Sequence, residues 1–254
     1  MDKQVEIYKR FQADKYVIEK LEALAKKRSF AEVMCAFPAY INRYNLTRFL
    51  AYYEMFKLIQ DKPGWIVECG VYRGFSLLAL SKFMEIFCMG NKSRKVLGFD
   101  NFAGFTGLSP EDGEENMAVC KTMGGISPEE YRDEVLELLD ICNRDAFAPW
   151  AKRVELVEGN VEDTIPQYVS DYPGLRISML HLDIDLYKPT KIALEYLYPR
   201  IVSGGLVVLD EYAHRDWEGE SKALEDYFAS LGEPIPELKT LNWCSTPTTY
   251  FIKS

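Results

Sequence analysis

The stretch GWIVECGVYRGFS, residues 64–76, decides the fold class of this chain of 254 residues. An apolar run ends at Glu68 and is followed by Gly70, Gly74 and an apolar helical pattern over residues 75–87. This order predicts a β-strand, a tight turn and a helix N-terminus, an arrangement that holds nucleotide-like ligands in open α/β sheets. Because glycine has no Cβ, Gly70 is expected to let the backbone and a ligand come close. The pattern alone also fits a turn that needs glycine only for its geometry.

From Pro63 onwards, apolar strand patterns alternate with helical patterns, which is typical of a mostly parallel sheet covered by helices on both faces. Strands are predicted over residues 65–69, 95–99, 154–157, 177–182 and 206–209, and a closing antiparallel β-hairpin over residues 238–243 and 248–253. We therefore expect a helical N-terminal extension over residues 1–60 and an α/β domain over residues 61–254.

The composition argues against several classes of protein. A formal net charge of −9 argues against non-specific binding of nucleic acids, which requires a positive surface. No apolar run approaches the roughly 20 residues that span a bilayer, and the N-terminus lacks the apolar core of a signal peptide. The six cysteines include no C-x-x-C pair, so that a structural zinc site is not expected. We expect a soluble, cytoplasmic protein that binds neither nucleic acids nor membranes.

Acidic residues follow the predicted strands at the points where the strands end. They are Glu68, Asp100, Asp183, Asp185, Asp210 and Glu211. In an open parallel sheet the ligand crevice lies beyond the carboxyl ends of the strands. Any one of these acids is explained equally well as the cap of the following helix, but that explanation is poor for all of them together. The clustering therefore predicts a ligand site at this edge of the sheet.

The position of Asp100 favours an adenosine-type cofactor, because a carboxylate at the end of the second strand accepts hydrogen bonds from ribose hydroxyls. Gly159, Asn160 and Val161 follow the third strand and are expected to line the adenine pocket. Glu68 beside the first turn would repel a pyrophosphate but suits a cofactor that bears an ammonium and a sulfonium. The pattern therefore favours S-adenosylmethionine over a dinucleotide.

The acids after the fourth and fifth strands predict a metal site. Asp183 and Asp185 are two residues apart on a segment expected to be extended, so that both side chains should point to one face. If the fifth strand pairs beside the fourth, Asp210 comes close to this pair. Such carboxylates cannot all stay ionised without a cation, and Mg²⁺ is the natural oxygen-liganded choice. His181 is interpreted as a satisfied core residue and His214 as a candidate base.

Several motifs resemble those of the macrocin O-methyltransferase (TylF) family. In chain order they are PGWIVECGVYRGFS, GFDNFAGF, VELVEGNVEDTIP, LDIDLYKPT, SGGLVVLDEY and WEGESKALEDYF. Members of this family methylate sugar hydroxyls on natural products with S-adenosylmethionine and Mg²⁺. The resemblance implies a Rossmann-like class I methyltransferase fold, with a mostly parallel seven-stranded sheet, helices on both faces and the C-terminal hairpin.

The resemblance also implies roles for particular residues. Asp183 and Asp210 would ligate the metal with Glu211, and Asp185 would be the general base. The cofactor contacts would be Glu68, Gly70, Ser76, Asp100, Asn160 and Asp183. Aromatic side chains that would pack on the cofactor or the substrate are Tyr72, Phe102 and Phe105. The family usually has Asp-Asp where this chain has Asp210 and Glu211, and the Glu211 side chain is one methylene longer than that of the usual aspartate.

Two further features are expected from the resemblance. The long loop over residues 101–127 would be a variable lid over the acceptor. The family forms homo-oligomers, and residues 1–60 would contribute to the contacts.

We therefore expect a metal-assisted O-methyltransferase that acts on a (deoxy)sugar hydroxyl of a glycosylated natural product, as in antibiotic biosynthesis. A catechol-type Mg²⁺-dependent O-methyltransferase that acts on an aromatic diol is the main alternative. A nicotinamide-dependent oxidoreductase and a non-catalytic binding module that keeps the cofactor pocket remain open as well.

Overall fold

The computed structural model describes the backbone of residues 3–254 and the side chains from residue 14 onwards. The chain divides into two compact units, Met1–Leu50 and Ala51–Ser254. The division falls inside a helix, earlier than the boundary expected between residues 60 and 61.

The first unit is helical. It contains α1 (Lys3–Ala25), α2 (Phe30–Cys35), α3 (Phe37–Tyr40) and the beginning of α4 (Arg43–Ile59). A capping box starts α2: the backbone N–H of Glu32 donates to the Ser29 hydroxyl, and the Glu32 carboxylate accepts from the Ser29 backbone N–H. These bonds satisfy N–H groups that a helix leaves without a partner at its first turn. Within residues 3–254, none of the helices has the length and apolar character of a membrane span.

The second unit is built on a six-stranded sheet. Its strands are β1 (Trp65–Cys69), β2 (Val96–Asp100), β3 (Val154–Glu158), β4 (Ile177–Leu182), β5 (Ile201–Leu209) and β6 (Thr249–Ile252). Their spatial order is β3-β2-β1-β4-β5-β6. The first five are parallel, and β6 runs antiparallel to β5. The strand order reverses at β1 and β4, which is where open α/β sheets form ligand crevices.

The expected seven-stranded sheet with a full C-terminal hairpin is wrong. The segment that should form the second arm makes a single isolated bridge, between Lys239 and Tyr250. Their backbones exchange two hydrogen bonds of 2.8 Å each. The chain then turns, and the N–H of Cys244 donates to the carbonyl of Leu241. The turn removes the following backbone from the ladder, so that β6 forms the edge of the sheet.

Helices cover both faces of the sheet. They are residues 51–59 of α4, α5 (Phe75–Phe87), α6 (Arg132–Asp145), α7 (Val161–Asp171), α8 (Tyr187–Leu197) and α9 (Glu218–Leu231). Apolar residues of α7, α8 and α9 form one core with alternate residues of the strands, such as Leu180 and Val207. Because strand side chains alternate, the residues between them face the other layer. On that side the ring of Tyr52 from α4 lies 5.3 Å from the ring of His181.

Candidate active site

The turn after β1 contacts the backbone that follows β4. Gly70 has a φ of +88°, and an added Cβ would lie 1.7 Å from the carbonyl oxygen of Asp183. The N–H of Asp183 donates to the carbonyl of Cys69 at 2.8 Å, which holds the two segments together. The crowding that requires glycine here comes from the chain itself. We expected glycine here because a ligand comes close, but the atom that leaves no room for a Cβ is the backbone oxygen of Asp183.

Asp100 organises the turn through three backbone hydrogen bonds. Its Oδ2 accepts from the N–H groups of Val71 and Tyr72 at 2.6 and 2.8 Å, and its Oδ1 accepts from Phe102 at 2.7 Å. A carboxylate has about four acceptor positions, so that roughly one remains for a ribose hydroxyl. The amides at this turn are occupied by a negative group. A pyrophosphate would need those amides free, which disfavours a dinucleotide at this site.

The other residues expected around the cofactor lie close to this turn in the fold. The N–H of Gly159 donates to the backbone carbonyl of Asp100 at 2.9 Å, and Asn160 directly precedes α7. Val161 and Phe102 are buried, whereas Tyr72 is exposed. Their contact with a cofactor stays a prediction.

Glu68 lies beneath the turn and is fully buried. It is the direct register partner of His181 in the β1–β4 ladder. Its Oε1 accepts hydrogen bonds from the Ser76 hydroxyl and from Nδ1 of His181, the latter at 3.0 Å. Among the residues that the structure describes, none forms a hydrogen bond with its Oε2. A network of buried polar groups therefore crosses from β1 to β4 below the expected cofactor site.

His181 extends this network towards β5. Its Nε2 lies 3.5 Å from the hydroxyl of Tyr52 and 3.8 Å from Oδ1 of Asp210. Burial alone would lower the pKa of His181, but its interactions with Asp210 and Glu68 and the charge of Asp183 outweigh burial and raise the pKa to about 10. The residue is buried and hydrogen-bonded, as expected from the sequence. Its place between acids of β1 and β5 was not expected.

Asp183 and Asp210 meet at the carboxyl ends of β4 and β5. One ligand atom from each, together with one from His181, lies within 4.8 Å of the others. The N–H of Asp210 donates to the carbonyl of Leu182, because the two strands pair up to this point. The two carboxylates at these adjacent strand ends supply oxygen ligands of the kind that suits a divalent cation. The arrangement therefore fits the cation that the sequence motifs imply.

Asp185 and Glu211 are not members of this group of three. The expectation that Asp183 and Asp185 lie on an extended segment is wrong, because β4 ends at Leu182 and Asp185 has a φ of +59°. The alternation of side chains holds only within extended backbone. Oε2 of Glu211 lies 3.7 Å from Nδ1 of the exposed His214. The roles of Asp185 and Glu211 stay predictions.

Glu220 is a buried acid that sequence reasoning missed. It lies in the first turn of α9 and is fully buried. Burial, followed by the negative charges of Asp210, Asp185 and Asp183, raises its pKa well above the usual value. In the sequence it is one of two acids in the first turn of a helix, a position that favours acids in any protein. Only its burial distinguishes it from Glu218.

The loop over residues 101–127 is tied to the beginning of α8 by Asp112. Oδ1 of this buried residue accepts from the N–H of Tyr187, and its Oδ2 accepts from the N–H of Ser109, both at 2.6 Å. The ammonium of Lys121 donates to the carbonyl oxygen of Asp112 at 2.7 Å. Tyr187 is two residues after Asp185. The expected lid is therefore anchored next to the expected base.

Comparison with known proteins identifies relatives that are named as O-methyltransferases. The chain is 32% identical over 183 residues to the 8-demethyl-8-(2,3-dimethoxy-alpha-L-rhamnosyl)-tetracenomycin-C 4'-O-methyltransferase of Streptomyces olivaceus. The matched region covers 71% of this chain and 65% of the relative. It is 29% identical over 160 residues to the demethyldecarbamoylnovobiocin O-methyltransferase of Streptomyces niveus, covering 59% of this chain and 53% of that protein. The chain thus spans less than two thirds of the length of these two relatives.

The fold is also that of a known methyltransferase. The crystal structure of CalS11, a calicheamicin methyltransferase, superposes with a TM-score of 0.84 at 26% identity, covering 94% of this chain and 92% of that one. The chain therefore has an α/β methyltransferase fold. The family model for macrocin O-methyltransferase (TylF) matches residues 14–244. This protein belongs to the macrocin O-methyltransferase (TylF) family.

Proposed function

We propose that this protein transfers a methyl group from S-adenosylmethionine to a hydroxyl of a sugar, in particular a deoxysugar, carried by a secondary metabolite. Family membership supports this function, and relatives that are named as methyltransferases of tetracenomycin and calicheamicin biosynthesis support the class of acceptor. The observation that carries the proposal is the convergence of Asp183 and Asp210 beside the turn that Asp100 organises.

We include a divalent cation in the proposal because the carboxylates at the ends of β4 and β5 suit such an ion. Asp183 and Asp210 would hold the cation, with Glu211 as the third ligand that the family pattern implies. A bound divalent cation supplies positive charge that lowers the pKa of a nearby hydroxyl.

Asp185 is proposed as the general base. A positive φ is uncommon in residues other than glycine, and uncommon backbone conformations are frequent at functional sites. Asp185 would accept the proton of the acceptor hydroxyl. The hydroxyl oxygen then forms a bond to the methyl carbon while the carbon–sulfur bond breaks, which leaves S-adenosylhomocysteine. Positioning and charge stabilisation by the surrounding residues supply most of the rate enhancement.

The proposed cofactor site predicts a selective effect on thermal stability. S-adenosylhomocysteine at 100 times its Kd should raise the Tm by about 5–10 °C, because binding at that ratio adds about 2.7 kcal/mol of stability. NADH at the same concentration should leave the Tm unchanged. The measurement is differential scanning fluorimetry.

Asp100→Asn should remove most of this shift, since an amide cannot accept from all three N–H groups. The exposed Asp61→Asn is the matched control and should keep the shift. A rise in the Tm with NADH and none with S-adenosylhomocysteine would instead indicate a nicotinamide-dependent oxidoreductase.

The class of acceptor is tested by product analysis. Incubation with S-adenosylmethionine and Mg²⁺ should add one methyl group to glycosides that bear deoxysugars, and none to catechols. Mass spectrometry with fragmentation places the added group on the sugar. Methylation of catechols alone would replace the proposal by the catechol-type alternative.

Self-association through residues 1–60 is part of the same proposal. Exposed apolar side chains are frequent in the described part of this segment, and large exposed patches of this kind mark interaction surfaces. They include Tyr16, Ile18, Leu24, Phe30, Met34 and Phe37.

A further inference from the structure

The beginning of α8 is capped by a side chain from a distant part of the chain. Leu186 occupies the position before this helix, and its apolar side chain cannot accept a hydrogen bond from the first N–H groups. Asp112 of the long loop after β2 supplies the acceptor, because its Oδ1 accepts from the N–H of Tyr187 at 2.6 Å. A carboxylate at a helix N-terminus is also favoured by the helix dipole. The cap of α8 therefore comes from a residue 75 positions earlier in the chain.

Asp112 lies where the loop, α8 and α9 meet. Within the loop its Oδ2 accepts from the N–H of Ser109 at 2.6 Å, and the ammonium of Lys121 donates to its backbone carbonyl at 2.7 Å. An added Cβ at Gly219, in the first turn of α9, would lie 2.1 Å from Oδ1 of Asp112 and 2.5 Å from the backbone nitrogen of Tyr187. Asp112 is only 1% exposed. Its carboxylate therefore joins three segments of the chain at a closely packed point.

The backbone directly before α8 has a conformation that depends on its surroundings. The N–H of Leu186 donates to the carbonyl of Ile184 at 2.5 Å, which closes a three-residue turn around Asp185, whose φ is +59°. A three-residue turn of this hand is uncommon. Uncommon backbone conformations persist where the surrounding structure fixes them. The turn after β1 contacts one end of this segment, and the hydrogen bond that Tyr187 donates to the loop holds the other end.

We propose that Asp112 is a positioning residue for Asp185, because it ties the loop and α9 to the first turn of α8 and so fixes the backbone that carries the base. The inference rests on the proposed function, in which Asp185 is the base, and extends it to a residue outside the family motifs. In this role Asp112 touches no reacting atom and acts through the backbone of residues 184–187. Such positioning has a steep effect on rate, since a displacement of about 1 Å can lower turnover about a hundredfold.

Asp112→Asn tests this role with almost no change in size. An amide keeps one acceptor oxygen, whereas its nitrogen can only donate. Whichever way the amide faces, the hydrogen bond from Ser109 or the one from Tyr187 is lost, and with it the link between the loop and α8. Asn143→Ala is the matched control. It removes two hydrogen bonds between a side chain and the backbone of Val154, which begins β3 at the edge of the sheet opposite the acids.

The first measurement is hydrogen exchange of the purified full chain, followed by mass spectrometry, without substrates. In Asp112→Asn, peptides from residues 101–127 and peptides that contain residues 184–187 should both exchange at least about tenfold faster than in the wild type. Asn143→Ala should leave the exchange of both segments unchanged.

The second measurement is the turnover of a glycoside that bears a deoxysugar. Asp112→Asn should lower turnover about tenfold or more, because the base is displaced. Its affinity for S-adenosylhomocysteine should change by less than about twofold, because the expected cofactor contacts lie on the turns after β1, β2 and β3. Asn143→Ala should lower the Tm by about 2–4 °C and leave turnover unchanged.

The possible outcomes are distinct. Faster exchange confined to the loop, or wild-type turnover in a folded Asp112→Asn protein, overturns the positioning role and leaves the proposed function intact. Equal losses of turnover and cofactor affinity also overturn it, because they indicate general structural damage. A wild-type protein that transfers no methyl group to such glycosides overturns the proposed function and this inference together. If Asp112→Asn does not fold, Gly219→Ala displaces the same carboxylate from the side of α9, and wild-type turnover in that variant overturns the inference.

Discussion

Replacement of Asp185 by asparagine is expected to reduce turnover by about three orders of magnitude, the usual range for loss of a general base. An amide cannot accept the proton of the acceptor hydroxyl, although it keeps the size of the side chain and tolerates the left-handed conformation seen at this residue. The affinity for S-adenosylhomocysteine should change by less than about twofold, because the expected cofactor contacts lie elsewhere. Single-turnover kinetics and calorimetric titration measure the two quantities.

The matched control is Asp171→Asn, an exposed change at the end of α7 that should leave turnover unchanged. A variant at Asp185 with wild-type turnover would eliminate this residue as the base. Loss of cofactor affinity in parallel with turnover would instead show that Asp185 shapes the cofactor site.

Removal of divalent cations is expected to lower turnover by at least about a hundredfold. The charge that a cation adds in a site of this kind contributes several kcal/mol, and each 1.36 kcal/mol is about tenfold in rate. Activity should return when Mg²⁺ is added in excess over EDTA. The assay follows S-adenosylhomocysteine formation during a titration with EDTA.

Asp210→Asn should behave like the chelated enzyme even with excess Mg²⁺, since it removes one of the two acids that converge at the site. The exposed Asp61→Asn is again the control. Full turnover in EDTA would rule out metal assistance. It would leave a methyltransferase in which the protein's own charges stabilise the reacting oxygen.

The order of the elements and the family could be predicted from the chain alone. Parallel strands that alternate with helices leave a clear pattern of apolar residues in the sequence. Each buried strand is apolar throughout, and each helix has one apolar face. Asp183 and Asp210 were expected at adjacent strand ends, and the structure brings them together. That acids at strand ends lie close together can be predicted from the sequence, because the carboxyl ends of parallel strands share one edge of the sheet.

The C-terminal hairpin is an example of a feature that could not be predicted correctly from the sequence. Both arms have apolar residues that suit a strand, but whether two segments pair depends on the turn that joins them and on the neighbouring strand. The turn after Lys239 allows only one bridge, so that the sheet has six strands. The local conformation of Asp185 was missed for a similar reason, because the backbone after β4 contacts the turn after β1, which is far away in the chain.

The sequence by itself determined the alternating α/β order, the acids at the strand ends and the motifs that mark the family. These features depend on residues that are neighbours in the chain, and local sterics and burial act on them directly. Only the tertiary structure decided that His181 lies between Glu68 and Asp210, that Asp112 anchors the loop beside Asp185, and that Glu220 is buried. These contacts join segments far apart in the chain, and the free energy of burying a charge depends on the folded surroundings that no single segment contains.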